Sequence, residues 1–280
     1  MPELPEVETV RRTLAAVLPG RTIETVHVAL PRLIKNASPA DFAAALRGQT
    51  VTAVQRKGKY LRLVFDGPRH LLIHLRMTGS LIYFPAAADL PKSAHIIFRL
   101  DKGNLVYCDV RTFGCLWLIP PAGPTGVKGY DTLGPDANGP DFTVDYIWPL
   151  LKKSERTVKA FLLDQTVIAG LGNIYADEAL WAAQIHPQTR VKKVNDQQLN
   201  TLFNELRQIL QLSIDQGGST DKNYVDAEGR KGNYLAFANV FRREGQVCHR
   251  HPDQEIIKLK VGGRGTHICP VCQKPPKFDK

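Results

Sequence analysis

The first residues of the chain could supply a covalent catalyst. Removal of Met1 would leave Pro2 as a terminal secondary amine. A free α-amine has a pKa of about 8, so much of it is unprotonated near neutral pH, whereas a lysine amine titrates at about 10.4. Such an amine attacks a sugar C1′ or a carbonyl carbon to give an iminium, and Glu3 stands beside it as a proton carrier. Pro2 and Pro5 also suit the first turn of a helix, and these residues alone favour that simpler interpretation.

Two pairs of metal-ligating side chains stand close together near the C-terminus. Cys269 and Cys272 form a CxxC pair, and Cys248 with His251 forms a Cys-x2-His pair. This spacing predicts one structural Zn²⁺ ion, because four protein ligands leave no position for water. His249 is an alternative second ligand, although the Cys-x2-His spacing favours His251.

The segment between the two pairs contains cations and glycines that suit a phosphate group. Two glycines, Gly262 and Gly263, are followed directly by Arg264 and preceded by Lys258 and Lys260. Glycines let a backbone approach a phosphate closely, and an arginine binds it through two parallel N–H groups. Each cation alone is more often solvated surface, but beside a zinc hairpin in a basic chain the pattern favours a phosphate-binding finger.

Two short motifs end strands in glycine turns and carry large side chains at the tip. They are residues 74–79, HLRMTG, and residues 109–114, DVRTFG. Met77, Phe113 and Arg111 suit wedging between bases and pairing with an orphaned base. Composition alone leaves the alternative that Met77 and Phe113 are core residues and that Arg111 forms a salt bridge.

Two further positions have both a functional and an ordinary interpretation. Residues 170–175 open a helix after a glycine-containing turn, so backbone N–H groups and the Asn173 amide could bind an anion. A turn with Asn173 as N-cap explains the pattern equally well. Lys59, between Gly58 and Tyr60, has the plain interpretation of a solvated hairpin charge.

Length and charge limit the class of protein. The chain has 280 residues, 43% of them hydrophobic, and a net charge of +10. Such a length allows roughly two domains. The positive charge predicts a polyanionic partner such as nucleic acid, with a membrane surface as the weaker option. The sequence has neither an apolar run able to cross a bilayer nor a signal-peptide pattern, so we expect a cytoplasmic protein with reduced thiols.

The hydrophobic periodicity changes part-way along the chain. Val7, Val10, Leu14 and Val17 recur at helical spacing before a Pro-Gly stop. The segments that follow predict a sandwich or barrel of short strands. The predicted strands are 22–30, 50–54, 60–65, 71–75, 81–84, 95–100, 105–110 and 116–119.

The composition of residues 120–140 is that of an interdomain linker, rich in proline and glycine. Beyond it the periodicity is helical. Residues 217–233 are polar, charged and glycine-containing, which predicts a mobile loop. The predicted helices are 143–151, 156–163, 174–182 and 196–216.

Together these motifs resemble the formamidopyrimidine-DNA glycosylase family, also called 8-oxoguanine DNA glycosylase/AP lyase, over essentially the whole chain. The resemblance rests on six segments: MPELPEVETVRR, RKGKYL, HLRMTG, DVRTFG, QTVIAGLGNIYADE and GGRGTHICPVCQ. It implies an α+β, multidomain fold, with DNA bound across the cleft between the two halves. The implied parts are an N-terminal β-sandwich with flanking helices in 1–120, a linker in 121–140, a helix-two-turn-helix module in 141–234 with a lesion-capping loop in 217–233, and a zinc-finger β-hairpin in 235–280.

The resemblance also implies a reaction, the excision of oxidised purines from double-stranded DNA. Pro2 would attack C1′ of a flipped-out nucleotide bearing 8-oxoguanine or a formamidopyrimidine, with Glu3 handling protons and Lys59 assisting. The iminium would acidify the C2′ protons, so that β- and δ-elimination cut both sides of the abasic site. We expect a nucleoid-associated monomer with one structural Zn²⁺, without a redox or nucleotide cofactor and without a membrane partner.

The resemblance assigns the remaining motif residues to DNA contacts. Met77, Arg111 and Phe113 would fill the space that the flipped-out nucleotide leaves, with Arg111 facing the orphan cytosine. Asn173 and Arg264 would hold the phosphates that flank the lesion. The expected DNA-binding residues are His74, Met77, Arg111, Phe113, Asn173 and Arg264.

Two features depart from the family pattern. The usual zinc ligands are four cysteines, whereas His251 takes the second position here, and the spacing between the pairs is one residue longer. The expected capping loop is unusually charged, so its base preference is not carried over. The charged loop residues are Asp221, Lys222, Asp226, Glu228, Arg230 and Lys231.

Three other activities also fit parts of the sequence. The related endonuclease VIII branch also starts with Pro-Glu but prefers oxidised pyrimidines; the LPEV start and the separated void-filling residues resemble the purine branch. If Met1 stays attached, the Pro2 nitrogen is blocked, and the protein would recognise DNA damage without cutting the strand. A zinc protein bound to RNA is suggested by charge and zinc ligands alone.

Overall fold

The structure, a computed structural model, describes residues 1–85, 88–220 and 224–276. The chain divides into two compact units. The first comprises Met1–Thr132 and Gln216–Asn233, and the second comprises Leu133–Asp215 and Tyr234–Lys280. The domain division predicted from the sequence instead placed residues 217–233 in the helical module.

In the described residues, the first unit contains two four-stranded antiparallel sheets, two flanking α-helices and one short α-helix near its boundary with the second unit. One sheet has the order β1-β6-β7-β5 and the other β2-β3-β4-β8. The flanking helices are α1 (Leu4–Ala15) and α2 (Pro39–Leu46), and the strands are β1 (Ile23–Val28), β2 (Val51–Lys57), β3 (Tyr60–Phe65), β4 (His70–His74), β5 (Gly79–Phe84), β6 (Ala94–Leu100), β7 (Asn104–Asp109) and β8 (Cys115–Ile119).

Both sheets and α1 contribute to one hydrophobic core. Phe98 from β6 and Ile73 from β4 are buried in it, and α1 contributes Val7, Val10 and Leu14 at helical spacing. The two sheets therefore form the predicted β-sandwich. β4 lies between β3 and β8 and is buried along its whole length.

The second unit is built mainly from helices, as the change of periodicity predicted. A short helix, α3 (Lys128–Asp131), precedes it in the linker region. The unit's own helices are α4 (Val144–Lys152), α5 (Val158–Leu162), α6 (Asn173–Ala182) and α7 (Asp196–Asp215). No helix in the described part of the chain is both long and apolar enough to cross a membrane.

Two small antiparallel pairs of strands follow the helices. They are β9 (Val247–Cys248) with β10 (His251–Glu255), and β11 (Ile257–Val261) with β12 (Arg264–Ile268). Gly262 and Gly263 join β11 to β12 with φ of +55° and +78°. Consecutive left-handed residues suit the tight turn of a two-residue hairpin, and glycine adopts them without steric cost.

The sequence predicted most elements but missed α2. Its sequence, PADFAAAL, is rich in alanine and short, and only Phe42 and Leu46 are buried. The signal was present in its N-cap, since Ser38 Oγ accepts a hydrogen bond from the Asp41 N–H at 3.1 Å.

The segment 216–233 belongs to the sandwich unit. The Tyr83 N–H donates to the Ala227 carbonyl at 2.9 Å, and Tyr224 and Ala227 pack in the core. The neck of the segment is closed by the Asn233 N–H, which donates to the Gln216 carbonyl at 2.9 Å. Residues 221–223, including the charged Asp221 and Lys222, lie outside the described residues, and mobility of the segment stays a prediction.

Candidate active site and nucleic-acid contacts

The N-terminus is fixed by a capping box at the start of α1. Pro2 and Glu3 are both buried, whereas Met1 is exposed. Glu3 is the N-cap residue, and its N–H donates to Glu6 Oε2 at 2.7 Å. The interpretation that Pro2 and Pro5 open a helix is therefore correct. It is compatible with nucleophilic catalysis by Pro2, because the same contacts hold Glu3, the residue that follows Pro2.

The other oxygen of Glu6 reaches the segment 216–233. Glu6 Oε1 accepts hydrogen bonds from the Ser219 N–H at 2.7 Å and from Ser219 Oγ at 3.0 Å. One buried carboxylate thus joins the capped N-terminus to the neck of the predicted capping loop. Gly218 approaches Glu6 so closely, with φ of +84°, that a Cβ there would lie 3.1 Å from the Glu6 side chain.

Lys59 lies in the two-residue turn between β2 and β3. Lys57 and Tyr60 pair across this turn, and Gly58 takes a φ of +57°. The Lys59 side chain is buried, so the interpretation as a solvated hairpin charge is wrong. Its charge, with that of Arg76, acts on His74.

Burial together with the charges of Arg76 and Lys59 lowers the pKa of His74 to about 3. The ring is therefore neutral at physiological pH. His74 Nδ1 accepts a hydrogen bond from the Arg76 N–H at 2.9 Å, where Arg76 has a left-handed φ of +56°. The buried His74 holds the turn that precedes Met77, and its predicted direct contact with DNA stays a prediction.

The two tip motifs expose the predicted void-filling side chains. Met77 is 41% exposed and Phe113 is 53% exposed, so neither is a core residue. The Arg111 guanidinium lies over the Phe113 ring, 4.7 Å from its centroid. The core interpretation of Met77 and Phe113 is therefore wrong, and within residues 1–85, 88–220 and 224–276 Arg111 contacts the Phe113 ring and forms no ion pair.

A single buried carboxylate connects the two tip motifs. Asp109 Oδ1 accepts a hydrogen bond from Thr78 Oγ1 at 2.5 Å and from the Arg111 N–H at 3.2 Å. Asp109 Oδ2 accepts from the Gly114 N–H at 2.8 Å. Because Thr78 follows Met77 directly, Asp109 fixes the tips of both motifs relative to each other. The role of Asp109 was not predicted, although its position at the start of DVRTFG was the available signal.

The two predicted phosphate contacts are neighbours in the second unit. Asn173 is the first residue of α6, with Gly172 as N-cap, so the N-cap interpretation of Asn173 is wrong. Asn173 Nδ2 donates to the Gly265 carbonyl at 2.9 Å, next to the exposed Arg264 on β12. The start of α6 and the glycine hairpin are thereby joined.

A buried ion pair supports this junction. Lys159 of α5 and Asp177 of α6 are 1% and 0% exposed, with Nζ 2.6 Å from Oδ1. Lys159 Nζ also donates to Thr266 Oγ1 at 2.6 Å, and Asp177 Oδ2 accepts from the His267 N–H at 3.0 Å. Two helices and β12 therefore meet at one pair of opposite charges, and no sequence motif predicts this pair.

The four predicted metal ligands form one cluster. The ligand atoms of Cys248, His251, Cys269 and Cys272 all lie within 4.8 Å of one another. Cys248 Sγ is 3.8 Å from Cys272 Sγ, and His251 Nδ1 is 3.2 Å from Cys272 Sγ. Two sulfurs bound to tetrahedral zinc at about 2.3 Å would be about 3.8 Å apart. The cluster therefore fits a Zn²⁺ ion.

A bound cation would favour ionisation of the clustered thiols. Burial and the neighbouring thiols of Cys269 and Cys248 raise the pKa of Cys272 to about 12. Packing several thiolates together is unfavourable without a positive ion between them. His249 lies outside the cluster, with Nδ1 3.2 Å from Asn239 Oδ1, so the alternative with His249 as ligand is not supported.

Comparison with known families matches this chain over most of its length. Residues 1–116 match the family described as "Formamidopyrimidine-DNA glycosylase N-terminal domain". Residues 133–224 match "Formamidopyrimidine-DNA glycosylase H2TH domain". The chain belongs to the formamidopyrimidine-DNA glycosylase family.

Relatives of this glycosylase family cover nearly the whole chain. A formamidopyrimidine-DNA glycosylase from Heliobacterium modesticaldum is 45% identical over 279 residues, 98% of this chain and 100% of its own. Two solved Lactococcus lactis Fpg structures are 37% identical with TM-scores of 0.90, and the match covers 98% of this chain and 100% of theirs. One is a complex with DNA containing an abasic site, and the other is a variant in complex with DNA containing Fapy-dG.

The glycosylase motifs are distributed between the two units. The sandwich unit carries Pro2, Glu3, Lys59 and both tip motifs, and the helical unit carries the metal cluster and the Asn173–Arg264 junction. The connecting acids, Glu6, Asp109 and Asp177, were the main residues missed. Each acts through a partner distant in the chain, and sequence periodicity carries no information about such pairs.

Proposed function

We propose that the chain is a bifunctional DNA glycosylase/AP lyase that removes oxidised purines from duplex DNA. The observation that carries the proposal is the family match, which includes a proline at position 2 followed by a buried, capped Glu3. Pro2, freed of Met1, is the nucleophile, Glu3 moves protons, and Lys59 assists at the damaged nucleotide.

The proposed reaction balances without an oxidant or a reductant. The Pro2 nitrogen bonds to C1′ as the glycosidic C–N bond breaks, and the electron pair leaves with the base, which takes up a proton. Sugar ring opening gives an iminium and a protonated O4′. Loss of a C2′ proton expels the 3′ phosphate, and a second elimination expels the 5′ phosphate. Water then hydrolyses the iminium and releases the amine.

The proposed DNA contacts follow the motifs. Met77, Phe113 and Arg111 fill the space left by the everted nucleotide, which suits exposed side chains on turns fixed by Asp109. Asn173 and Arg264 hold the backbone phosphates. Support for their pairing is the hydrogen bond that joins Asn173 to the residue after Arg264.

We further propose that the cluster of three cysteines and His251 holds one structural Zn²⁺ ion. Zinc there would cross-link β9 and β10 to the end of β12, close to the hairpin that carries Arg264. It would take no part in bond cleavage, because four protein ligands complete its coordination.

The test is incubation of the purified protein with a duplex carrying one 8-oxoguanine opposite cytosine, with and without borohydride. We expect strand cleavage and a trapped adduct on the N-terminal peptide. Mass spectrometry must show that Met1 has been removed, since an acylated Pro2 nitrogen cannot attack. Damage-specific binding without cleavage or adduct, by protein lacking Met1, would contradict the proposal.

Lesion preference is tested on the same duplex with other bases. We expect 8-oxoguanine and formamidopyrimidines to be excised faster than oxidised pyrimidines. The reverse order would move the protein to the pyrimidine-preferring branch while leaving the iminium chemistry intact.

A further inference from the structure

A carboxylate on α1 lies among three arginines. Glu8 Oε2 is 3.0 Å from Arg56 Nε on β2, and Glu8 also binds Arg11 and Arg12 of its own helix. Burial opposes ionisation, but hydrogen bonds from these arginines outweigh it and lower the pKa of Glu8 to about 2. The contact between Glu8 and Arg56 is the buried one of the three, since the Arg56 side chain is only 7% exposed.

Arg56 makes a second contact with the turn that carries Lys59. Its Nη1 donates to the Gly58 carbonyl at 2.9 Å. Gly58 directly precedes Lys59, and this two-residue turn is closed by the pairing of Lys57 with Tyr60. Arg56 therefore holds α1 with one edge of its guanidinium and the Lys59 turn with the other.

The same helix begins two residues after the candidate nucleophile, Pro2. α1 begins at Leu4, directly after the capped Glu3, and Glu8 lies in its second turn. A helix transmits position along its axis because each residue is held by hydrogen bonds to the next turn. A displacement of the α1 backbone at Glu8 would therefore shift Glu3 and, through the chain, the neighbouring Pro2.

We propose that Arg56 is a positioning residue that sets the Lys59 amine relative to the Pro2 nitrogen, through Glu8 on one side and the Gly58 carbonyl on the other. The inference rests on the proposed function of Pro2 and Lys59. A guanidinium suits this role, because a planar fork binds two acceptors at fixed geometry, whereas a lysine amine is a single point donor.

The test is the Arg56→Lys variant, which keeps the charge but loses the fork. Small misplacements of reacting groups cost up to about 100-fold in rate. We expect the single-turnover rate of borohydride trapping on abasic DNA to fall about 10- to 100-fold at saturating enzyme. The trapped amplitude and the Kd for DNA should stay within about twofold of the wild type. The matched control is Arg12→Lys, which alters an arginine bound to the same carboxylate but 51% exposed, and its rate should not change.

Glu8→Gln provides a second variant. It should lower the trapping rate as Arg56→Lys does, and the double variant should be no slower than the slower single, since both act through one contact. An unchanged trapping rate in Arg56→Lys would overturn the inference. A smaller trapped amplitude at an unchanged rate would also overturn it, because that result means that part of the variant is misfolded while the rest reacts normally. Absence of an adduct with the wild type would instead overturn the proposed function.

Discussion

At the scale of single residues, the buried His74 makes stability depend on pH. Its pKa is lowered to about 3 in the fold against about 6.5 unfolded, so the folded state favours the neutral ring. The stability that the neutral His74 ring contributes to the folded state is present above about pH 6.5 and is lost as the pH falls toward about 3. The expected slope is about 1.4 kcal/mol per pH unit.

Between about pH 7 and pH 5 we expect the wild type to lose about 1–2 kcal/mol more of its free energy of unfolding than His74→Gln does. The variant has no histidine at this position to take up a proton on unfolding. Urea unfolding at both pH values measures this. Any loss of metal at low pH affects both proteins, so the difference isolates His74. His27→Gln, at an exposed position on β1, is the control and should behave as the wild type. Equal pH dependence in all three proteins would contradict the assignment.

Asp109 is the residue on which the two tip motifs depend. Asp109→Asn replaces a charged acceptor of four hydrogen bonds by a neutral amide, and one hydrogen bond to a charged group is worth about 1.5–3 kcal/mol. We expect base excision to fall about 10- to 100-fold, because the tips of both motifs lose their relative placement. Single-turnover excision measures this. Asp101→Asn changes an exposed acid at 42% exposure and should leave the rate unchanged; an equal loss in both variants would argue against a specific role for Asp109.

At the scale of elements, the ion pair of Lys159 and Asp177 holds α5, α6 and β12 together. Lys159→Met leaves Asp177 buried without its partner, which typically costs about 3–5 kcal/mol. Replacing both residues, as Lys159→Met with Asp177→Leu, should recover much of that stability. DNA binding should nevertheless stay weak, because the Thr266 and His267 contacts remain lost.

Urea unfolding and DNA binding measured in parallel separate these effects. The exposed pair of Lys192 with Glu155 provides the control, and Lys192→Met should cost no more than about 1 kcal/mol. Recovery of both stability and full DNA affinity in the double variant would show that the pair contributes stability alone.

The metal cluster acts on the strands that carry Arg264. For Cys272→Ser we expect lost zinc and lost DNA binding with the sandwich unit still folded, since the cluster belongs to the other compact unit. Metal analysis, circular dichroism and DNA binding measure the three effects. Cys108→Ala removes a thiol outside the cluster and should keep its zinc. Full zinc occupancy in Cys272→Ser would refute the ligand assignment.

At the scale of the whole molecule, the net charge of +10 should make DNA binding strongly dependent on salt. Arg264→Ala should weaken binding to many sequences and lower the slope of log K against log salt by about one unit, since one phosphate contact is lost. Titrations at several salt concentrations measure this. Arg47→Ala removes an equal charge at the exposed end of α2 and should leave the slope unchanged; equal slopes for all three proteins would exclude a phosphate contact by Arg264.

Much of this molecule was readable from the sequence. β3 has the predicted bounds, the strands of the sandwich and the longer helices occur where periodicity placed them, and the family follows from local motifs. These features depend on residues close together in the chain. A turn, a helix cap or a CxxC pair is specified by its own few residues, whatever the rest of the fold does.

The tertiary structure decided which distant residues meet. His251 rather than His249 joins the cysteines because β10 pairs with β9 so that His251 lies opposite Cys248. Asp109, Asp177 and Arg56 acquired roles only when strands and helices brought their partners within hydrogen-bond distance. Burial gives these contacts their strength, since a charge removed from water must be paired, and both burial and pairing depend on the whole fold rather than on neighbouring residues.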